Sequence, residues 1–161
     1  MGLDMYLTKK TSVKNYSYEG KEKAKYKISV RRGGEDIPHI KKERICSIEE
    51  DIMYWRKANA IHDWFVKNCQ EGNDDCRTTW VGETNIKELL DTLKKVLQNR
   101  TNTALIQELL PTTEGFFFGG TEYDEYYFET IEKTIEVLQA EVDEMESMDE
   151  YYFDYYYHSS W

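Results

Sequence analysis

The segment 54–69, YWRKANAIHDWFVKNC, constrains the fold most strongly because its large apolar side chains recur at the period of an α-helix. At about 100° per residue, one broad arc of such a helix holds Tyr54, Trp55, Ala58, Ile61, His62, Phe65, Val66 and Cys69. The opposite arc holds Arg56, Asn59, Asp63 and Lys67. The pattern predicts an amphipathic helix that buries an aromatic face with His62 at its centre.

Length and composition indicate one folded domain over residues 1–161. The chain is long enough for one hydrophobic core, and 13 tyrosines with 4 tryptophans argue against a disordered chain. No apolar run is long enough to cross a membrane, and the first residues, MGLDMYLTKK, do not have the order of a secretion signal. Three cysteines, an odd number, fit reduced thiols better than disulfides. These features predict a cytoplasmic protein without a membrane partner.

The net charge of −10 is unevenly distributed along the chain. Residues 9–44 contain 12 lysines and arginines against 5 acidic residues, whereas residues 112–161 contain 1 lysine against 14 acidic residues. Two interpretations fit this pattern. The two segments can be solvated faces that keep the chain soluble, or they can attract each other, within one chain or between copies in a homo-oligomer.

Two-residue periodicity predicts strands near the N-terminus. A first strand follows from the alternation of polar residues with Leu3, Met5 and Leu7. A basic hairpin or projecting arm is predicted over about residues 14–44, and its alternating apolar residues are Tyr26, Ile28 and Val30. The sequence RGGE at 32–35 supplies the turn, because glycine accepts positive φ without steric cost.

Two capping-box patterns predict helix starts in the middle of the chain. Ser47 with Glu50 predicts a helix that begins at about Ser47 and continues into the segment 54–69. Asn85 with Glu88 predicts the start of a second helix. Its apolar arc contains Ile86, Leu89, Leu90, Leu93, Val96 and Leu97.

The C-terminal part is predicted to contain a short strand, a long helix and a final strand. The run GFFFGG at 115–120 is typical of a buried strand bounded by glycines. A long helix with an acidic outer face then begins at Thr121 or Glu122, and an aromatic strand completes the region 121–161 by pairing with the N-terminal strand. The predicted fold class is α+β, a small largely antiparallel sheet that includes both termini, with about three main helices packed on it.

Four segments, GLDMYL, YWRKANAIHDWFV, GFFFGGTEYDEYYF and YYYHSSW, resemble a family of small uncharacterised proteins of tailed bacteriophages and prophages. They reach both ends of the chain. No activity is known for that family, so the resemblance transfers no functional residue. It implies an accessory protein that acts in the cytoplasm of a host cell, with host defence among its targets.

A ligand pocket around His62 is one candidate site. A histidine can bind a phosphate or act as acid or base, because modest environmental shifts move its charge across neutral pH. The residues expected to line this pocket are Trp55, Lys57, Asn59, His62, Tyr155 and Tyr157. Such a pocket would hold a nucleotide or cyclic nucleotide signal, to sequester it or, less readily, to hydrolyse it. Helical projection places Lys57 about 140° from His62, which favours the alternative of a structural imidazole bonded within the core.

The sequence predicts neither a metal site nor a cofactor at the cysteines and the histidine of residues 46–76. Cys46, His62, Cys69 and Cys76 contain suitable ligand atoms for zinc, but they lack the short clip of paired ligands that makes a zinc site recognisable. Cys69 lies on the apolar arc of the predicted helix, as expected for a core thiol.

The outer face of the long helix is the second candidate site, an acidic helix face formed by Glu129, Glu132, Glu136, Asp143 and Glu144. Carboxylates in a row can imitate phosphate spacing and occupy a basic groove on a nucleic-acid-binding or defence protein, although such faces are often merely solvated. The same charges oppose direct binding to nucleic acid. The sequence favours a non-enzymatic protein, without catalytic residues, that binds and inhibits a host intracellular protein through an acidic, tyrosine-rich surface. Nucleotide binding is the alternative.

Overall fold

The structure, a computed structural model, describes residues 2–14, 27–148 and 153–161. Its strands are β1 (Asp4–Ser12), β2 (Arg31–Arg32), β3 (Glu35–Asp36), β4 (Ser47–Arg56), β5 (Thr79–Val81) and β6 (Phe153–Ser160). Its helices are α1 (Asn59–Cys69), α2 (Glu83–Gln98), α3 (Thr103–Leu109) and α4 (Glu125–Ser147), with a 3-10 turn at Lys42–Arg44. The predicted α+β class is confirmed.

Both termini lie in the main sheet, as predicted. The strand order is β4-β1-β6-β5, and every pairing is antiparallel. β1 lies between β4 and β6, so that Leu7 pairs with Met53 on one side and Tyr157 on the other. The alternation that predicted β1 is also confirmed, since Leu3, Met5 and Leu7 are buried.

The helices cover the inner face of the sheet, and the core lies between the two layers. From α1, Phe65 stacks on Tyr157 of β6 with ring centroids 4.1 Å apart. From α4, the Thr134 hydroxyl accepts a hydrogen bond of 2.8 Å from Trp55 Nε1 of β4. The apolar arc predicted for α2 is buried against these residues. Among the helices of the described segments, none combines the length and apolarity needed to span a lipid bilayer.

The segment 47–56 is a strand, so the prediction of a helix from Ser47 is wrong. Trp55 pairs with Met5 across the sheet, and its side chain joins the core. A bulge near Thr8 lets the rest of β4 follow β1 to its end. The capping-box pattern is local, whereas the ladder to β1 forms between distant residues and overrides it. The amphipathic helix therefore begins at Asn59, after the backbone turns at Lys57 with φ +56°.

The run 115–120 is a turn, so the predicted buried strand is wrong. Gly119 has φ +89°, which no strand residue adopts, and the amide of Phe118 donates to the carbonyl of Gly115 across the turn. Phe116 is 95% exposed. Only Phe118 packs against the core, where its ring contacts His62 edge-on.

Two helix starts differ from those predicted by a few residues. α2 begins at Glu83 after Gly82, and Asn85 is its third residue, whose side-chain oxygen accepts from the amide of Gly82. α4 begins at Glu125 rather than at residue 121 or 122, because Asp124 caps it by accepting from the amide of Tyr127.

The turn predicted for the basic arm is confirmed. β2 and β3 form a hairpin closed by Gly33 and Gly34, both with positive φ. Residues 27–30 have no regular structure. Tyr26 and the rest of 15–26, like 149–152 of the predicted tail, lie outside the described residues.

Candidate functional site

His62 is a core residue whose two ring nitrogens both have partners. Its side chain is 1% exposed, with Nδ1 2.7 Å from the Tyr157 hydroxyl and Nε2 3.0 Å from an Asp74 carboxylate oxygen. Burial raises the pKa of the Tyr157 phenol well above 10, so the hydroxyl keeps its proton within its hydrogen bond to Nδ1. The ionised Asp74 carboxylate can only accept, so Nε2 donates to it. This arrangement corresponds to the structural alternative stated for His62.

The predicted pocket around His62 is divided between separate places in the fold. His62 and Tyr157 meet, but Trp55 bonds to Thr134 and the Tyr155 hydroxyl donates to Glu141. All four side chains are buried. The remaining two members, Lys57 and Asn59, lie together at the start of α1 and line a cavity whose lining does not include His62.

Asn59 ties the loop 112–120 to the start of α1. Its side-chain nitrogen donates to the carbonyls of Phe118 and Gly120, at 3.1 and 2.8 Å. Its side-chain oxygen accepts from the amide of Thr113 at 2.9 Å. The buried side-chain amide of Asn59 therefore forms hydrogen bonds with three backbone groups of a loop that belongs to no regular strand.

A cavity of about 280 Å³ lies beside this tie, between the start of α1, the loop 112–120 and the start of α4. We call it the α1 cavity. Its polar and aromatic lining consists of Arg56, Lys57, Asn59, Thr112, Glu122, Asp124, Tyr126, Tyr127 and Thr130. Its volume is near the lower end of the range for small-molecule pockets.

Two cations approach the same wall of the α1 cavity. A Cβ built on Gly2 would lie 3.2 Å from Lys57 Cε and 3.8 Å from an Arg56 guanidinium nitrogen, so the ends of both side chains lie close to Gly2, and both residues belong to the cavity lining. A Cβ on Gly119 would lie 3.0 Å from the Lys57 Cβ, so this glycine lets the loop pass close to the lysine. Within the described segments, neither cation forms an ion pair.

The start of α1 adds positive potential to that wall. Among the described residues, no side chain caps the helix at Ala58, so its first backbone amides remain available. The aligned peptide dipoles favour an anion at this end of the helix. The opposite wall is acidic, with Asp124 engaged as the cap of α4 and Glu122 accepting from the amide of Thr121.

Sequence reasoning identified only Lys57 and Asn59 of the α1 cavity. Arg56 and Tyr126 were missed, although the Tyr126 hydroxyl donates to the Arg56 carbonyl and closes one side of the cavity. Most of the lining comes from two aromatic-rich segments of the sequence, YWRKANAIHDWFV and GFFFGGTEYDEYYF.

The acidic helix face is exposed at all five residues named for it. Glu132 lies 3.6 Å from Arg100, and Glu144 accepts from Lys9 at 2.6 Å. In the described parts of the chain, Glu129 and Glu136 have no basic partner. Glu144 reaches Lys9 on the inner face of the sheet, so the acidic helix face lies on the helix side of the sheet, whereas the outward aromatic residues of β6 lie on its other side. The predicted acidic and tyrosine-rich surface is therefore two surfaces.

The cysteines form no disulfide with one another, and the described residues contain no group of three metal-ligating side chains. Burial raises the pKa of the Cys69 thiol to about 11, so it stays protonated at neutral pH. Cys46 is exposed, and Cys76 is half-buried.

No protein-family model matches the chain, and neither the curated proteins nor the solved structures contain a significant match to it.

Proposed function

We propose that the protein binds a small phosphate-bearing ligand, of the nucleotide or cyclic nucleotide class, in the α1 cavity. One observation carries this proposal. Arg56 and Lys57, which have no acidic partner among the described residues, are consecutive lining residues of a cavity that also contains the uncapped start of α1.

The chemistry of the two walls fits the two ends of a nucleotide. A phosphate group beside Arg56 and Lys57 would accept charge-assisted hydrogen bonds and backbone amide donors from the helix start. Glu122, on the opposite wall, offers a carboxylate to sugar hydroxyls or a base amino group. The ring of Tyr126, which is exposed at the rim, offers a face on which a base can stack.

Binding without turnover fits this cavity better than hydrolysis. The described lining includes no histidine or cysteine. His62, the nearest candidate for a general base, is buried with both nitrogens bonded. Of the two lining carboxylates, Asp124 is engaged as a helix cap. The proposed role is therefore to sequester a signal.

Lys57→Gly is expected to weaken nucleotide binding at least tenfold. The change removes one charge-assisted contact, and glycine adopts the φ of +56° without strain, so the fold should persist. The measurement is isothermal titration with nucleotides and cyclic nucleotides that raise the melting temperature of the unmodified protein. A ligand at 100 times its dissociation constant adds about 2.7 kcal/mol, or roughly 5 to 10 °C.

Lys67→Ala provides the matched control, because Lys67 is a cation at the other end of the same helix, paired with Asp63. It should leave the affinity unchanged. The proposal fails if no nucleotide shifts the melting temperature of the unmodified protein, or if both variants bind equally well.

A second candidate function is binding of a host protein through the acidic helix face. The observation in its favour is that all five predicted residues are exposed, with Glu129 and Glu136 free of basic partners in the described structure. A row of carboxylates on one side of a helix suits a basic groove, and association through it would be fast and sensitive to salt. The resemblance to phage proteins makes a host nucleic-acid-binding or defence protein the expected partner.

Glu129→Lys with Glu136→Lys is expected to abolish capture of such a partner from host lysate at low salt. Two carboxylates become two cations, which places like charges against a basic groove. Glu108→Lys with Glu114→Lys makes the same change in net charge at exposed positions elsewhere. If both double variants lose the captured protein to the same extent, only the net charge matters and the acidic helix face is not the site.

A further inference from the structure

The outer face of the sheet, opposite the helices, carries a continuous group of aromatic side chains. Tyr6 pairs with Tyr54 on β4 and with His158 on β6, and its ring centroid lies 5.3 and 6.1 Å from theirs. Trp80 on β5 and Tyr156 on β6 are paired neighbours in the next row. We call these five residues the aromatic sheet face.

The rings of the aromatic sheet face are accessible. Trp80 is 57% exposed and Tyr54 50% exposed, and the other three side chains are half-buried. Large aromatic side chains grouped on an open surface are unusual in a protein without partners, and they are typical of binding sites.

Carboxylates adjoin the two most exposed rings. Asp4 accepts a hydrogen bond from the Tyr54 hydroxyl, and Asp154 accepts one of 2.9 Å from Trp80 Nε1. Strand pairing places Glu49 and Asp51 on the same face, together with the cations Lys10 and Arg56. Four carboxylates against two cations leave this face with a net charge of −2.

We propose that the aromatic sheet face docks an extended, arginine-containing polypeptide segment of a partner. A guanidinium group is flat, stacks on aromatic rings and donates paired hydrogen bonds to carboxylates. Each exposed ring has a carboxylate beside it, Asp4 at Tyr54 and Asp154 at Trp80. We call these two ring-and-carboxylate pairs the corners of the aromatic sheet face, and each corner offers both a ring for stacking and a carboxylate for hydrogen bonding. Lysine, a compact charge that stacks less well on aromatic rings, can use only the carboxylate.

The distance between the two corners sets the spacing of the arginines. Tyr54 and Trp80 lie on the two outer strands of a four-stranded sheet and one row apart, which corresponds to about 16 Å. An extended chain advances about 3.3 Å per residue and its side chains alternate between two sides, so two arginines about four residues apart face the sheet together and come within side-chain reach of both corners. This surface shares only Arg56 with the α1 cavity, so the variants used below leave Arg56 in place and test this proposal alone.

Single-stranded nucleic acid is the competing occupant, because bases also stack on exposed aromatic rings. The carboxylates decide against it, since a phosphate backbone laid across Asp4, Asp51 and Asp154 would be repelled.

The test is fluorescence anisotropy with a labelled glycine-serine peptide that carries two arginines about four residues apart. Tyr54→Ser with Trp80→Ser should weaken binding of this peptide at least tenfold, and a peptide with lysines in place of arginines should bind several-fold more weakly to the unmodified protein. Phe116→Ser is the control, because it removes an exposed ring from a loop away from the sheet and should change nothing.

Three results would overturn the proposal: unchanged affinity in the double variant, equal affinity for the lysine peptide, or binding of labelled oligothymidine in preference to the arginine peptide. Should the double variant lose its folded circular dichroism spectrum, Asp4→Asn with Asp154→Asn tests the same surface with both rings in place. That pair should weaken binding at least tenfold, and unchanged affinity there also overturns the proposal.

Discussion

Replacing Tyr157 by alanine is expected to lower the free energy of unfolding by about 4 kcal/mol, the upper part of the range for large aromatic residues in cores. Tyr157 is fully buried in a central strand, stacks on Phe65 and forms a hydrogen bond with His62 through its hydroxyl. The change removes the ring from between the sheet and α1, and it leaves the imidazole nitrogen without its hydrogen-bond partner. Urea unfolding followed by circular dichroism measures the effect.

The neighbouring residue provides a matched control. Tyr156 has the same side chain on the same strand but points to the outer face, so Tyr156→Ala should cost about 1 kcal/mol or less. Tyr157→Phe keeps the ring and removes only the hydroxyl, for which we expect a loss of about 1 to 2 kcal/mol. Similar losses in the two alanine variants would mean that the layers are not arranged as described.

The parts of the fold that the sequence predicted are those whose period is visible within one segment. β1 alternates over its own length and α2 keeps one apolar arc, and β6 was predicted from the β propensity of its aromatic residues. Periodicity did not identify β4, because its residues carry a helix-start pattern. The segment becomes a strand by pairing with β1, which is distant in sequence. The run 115–120 was misjudged because aromatic residues between glycines are also suited to a turn held by distant contacts.

The candidate site was predictable only in part, for a related reason. The α1 cavity is created where β4 ends, a loop crosses and α4 begins, and the link between them is the side chain of Asn59. No periodicity predicts that three segments meet. Helical projection placed Lys57 and His62 on one helix, whereas Lys57 precedes α1 with φ +56°, and the cavity lining includes Lys57 but not His62.

Lys9→Met is expected to lower the free energy of unfolding by about 2 to 3 kcal/mol. Lys9 is buried on the inner face of β1, where it donates to Glu141 at 3.0 Å and to Glu144 at 2.6 Å. Methionine preserves the packing of the side-chain stem but leaves Glu141 half-buried without its cation. The loss should fall below that of a fully buried pair because Glu144 is exposed to solvent. Urea unfolding at neutral pH measures it.

Lys10→Met is the control, because Lys10 is the next residue on the same strand, exposed on the outer face, and should change stability by about 0.5 kcal/mol or less.

The pH dependence separates the charge of Lys9 from its packing. Burial lowers the pKa of the Lys9 ammonium, but hydrogen bonds and charges from Glu144 and Glu141 outweigh burial and raise it above 10.5. The folded state therefore holds this proton more tightly than the unfolded state, so the stabilisation is complete below pH 10.5 and declines as pH rises through the raised pKa. The difference between the unmodified protein and Lys9→Met should be constant from about pH 7 to 9 and become smaller by about pH 11. A difference that stays constant across this whole range would show that Lys9 acts through packing and not through its charge.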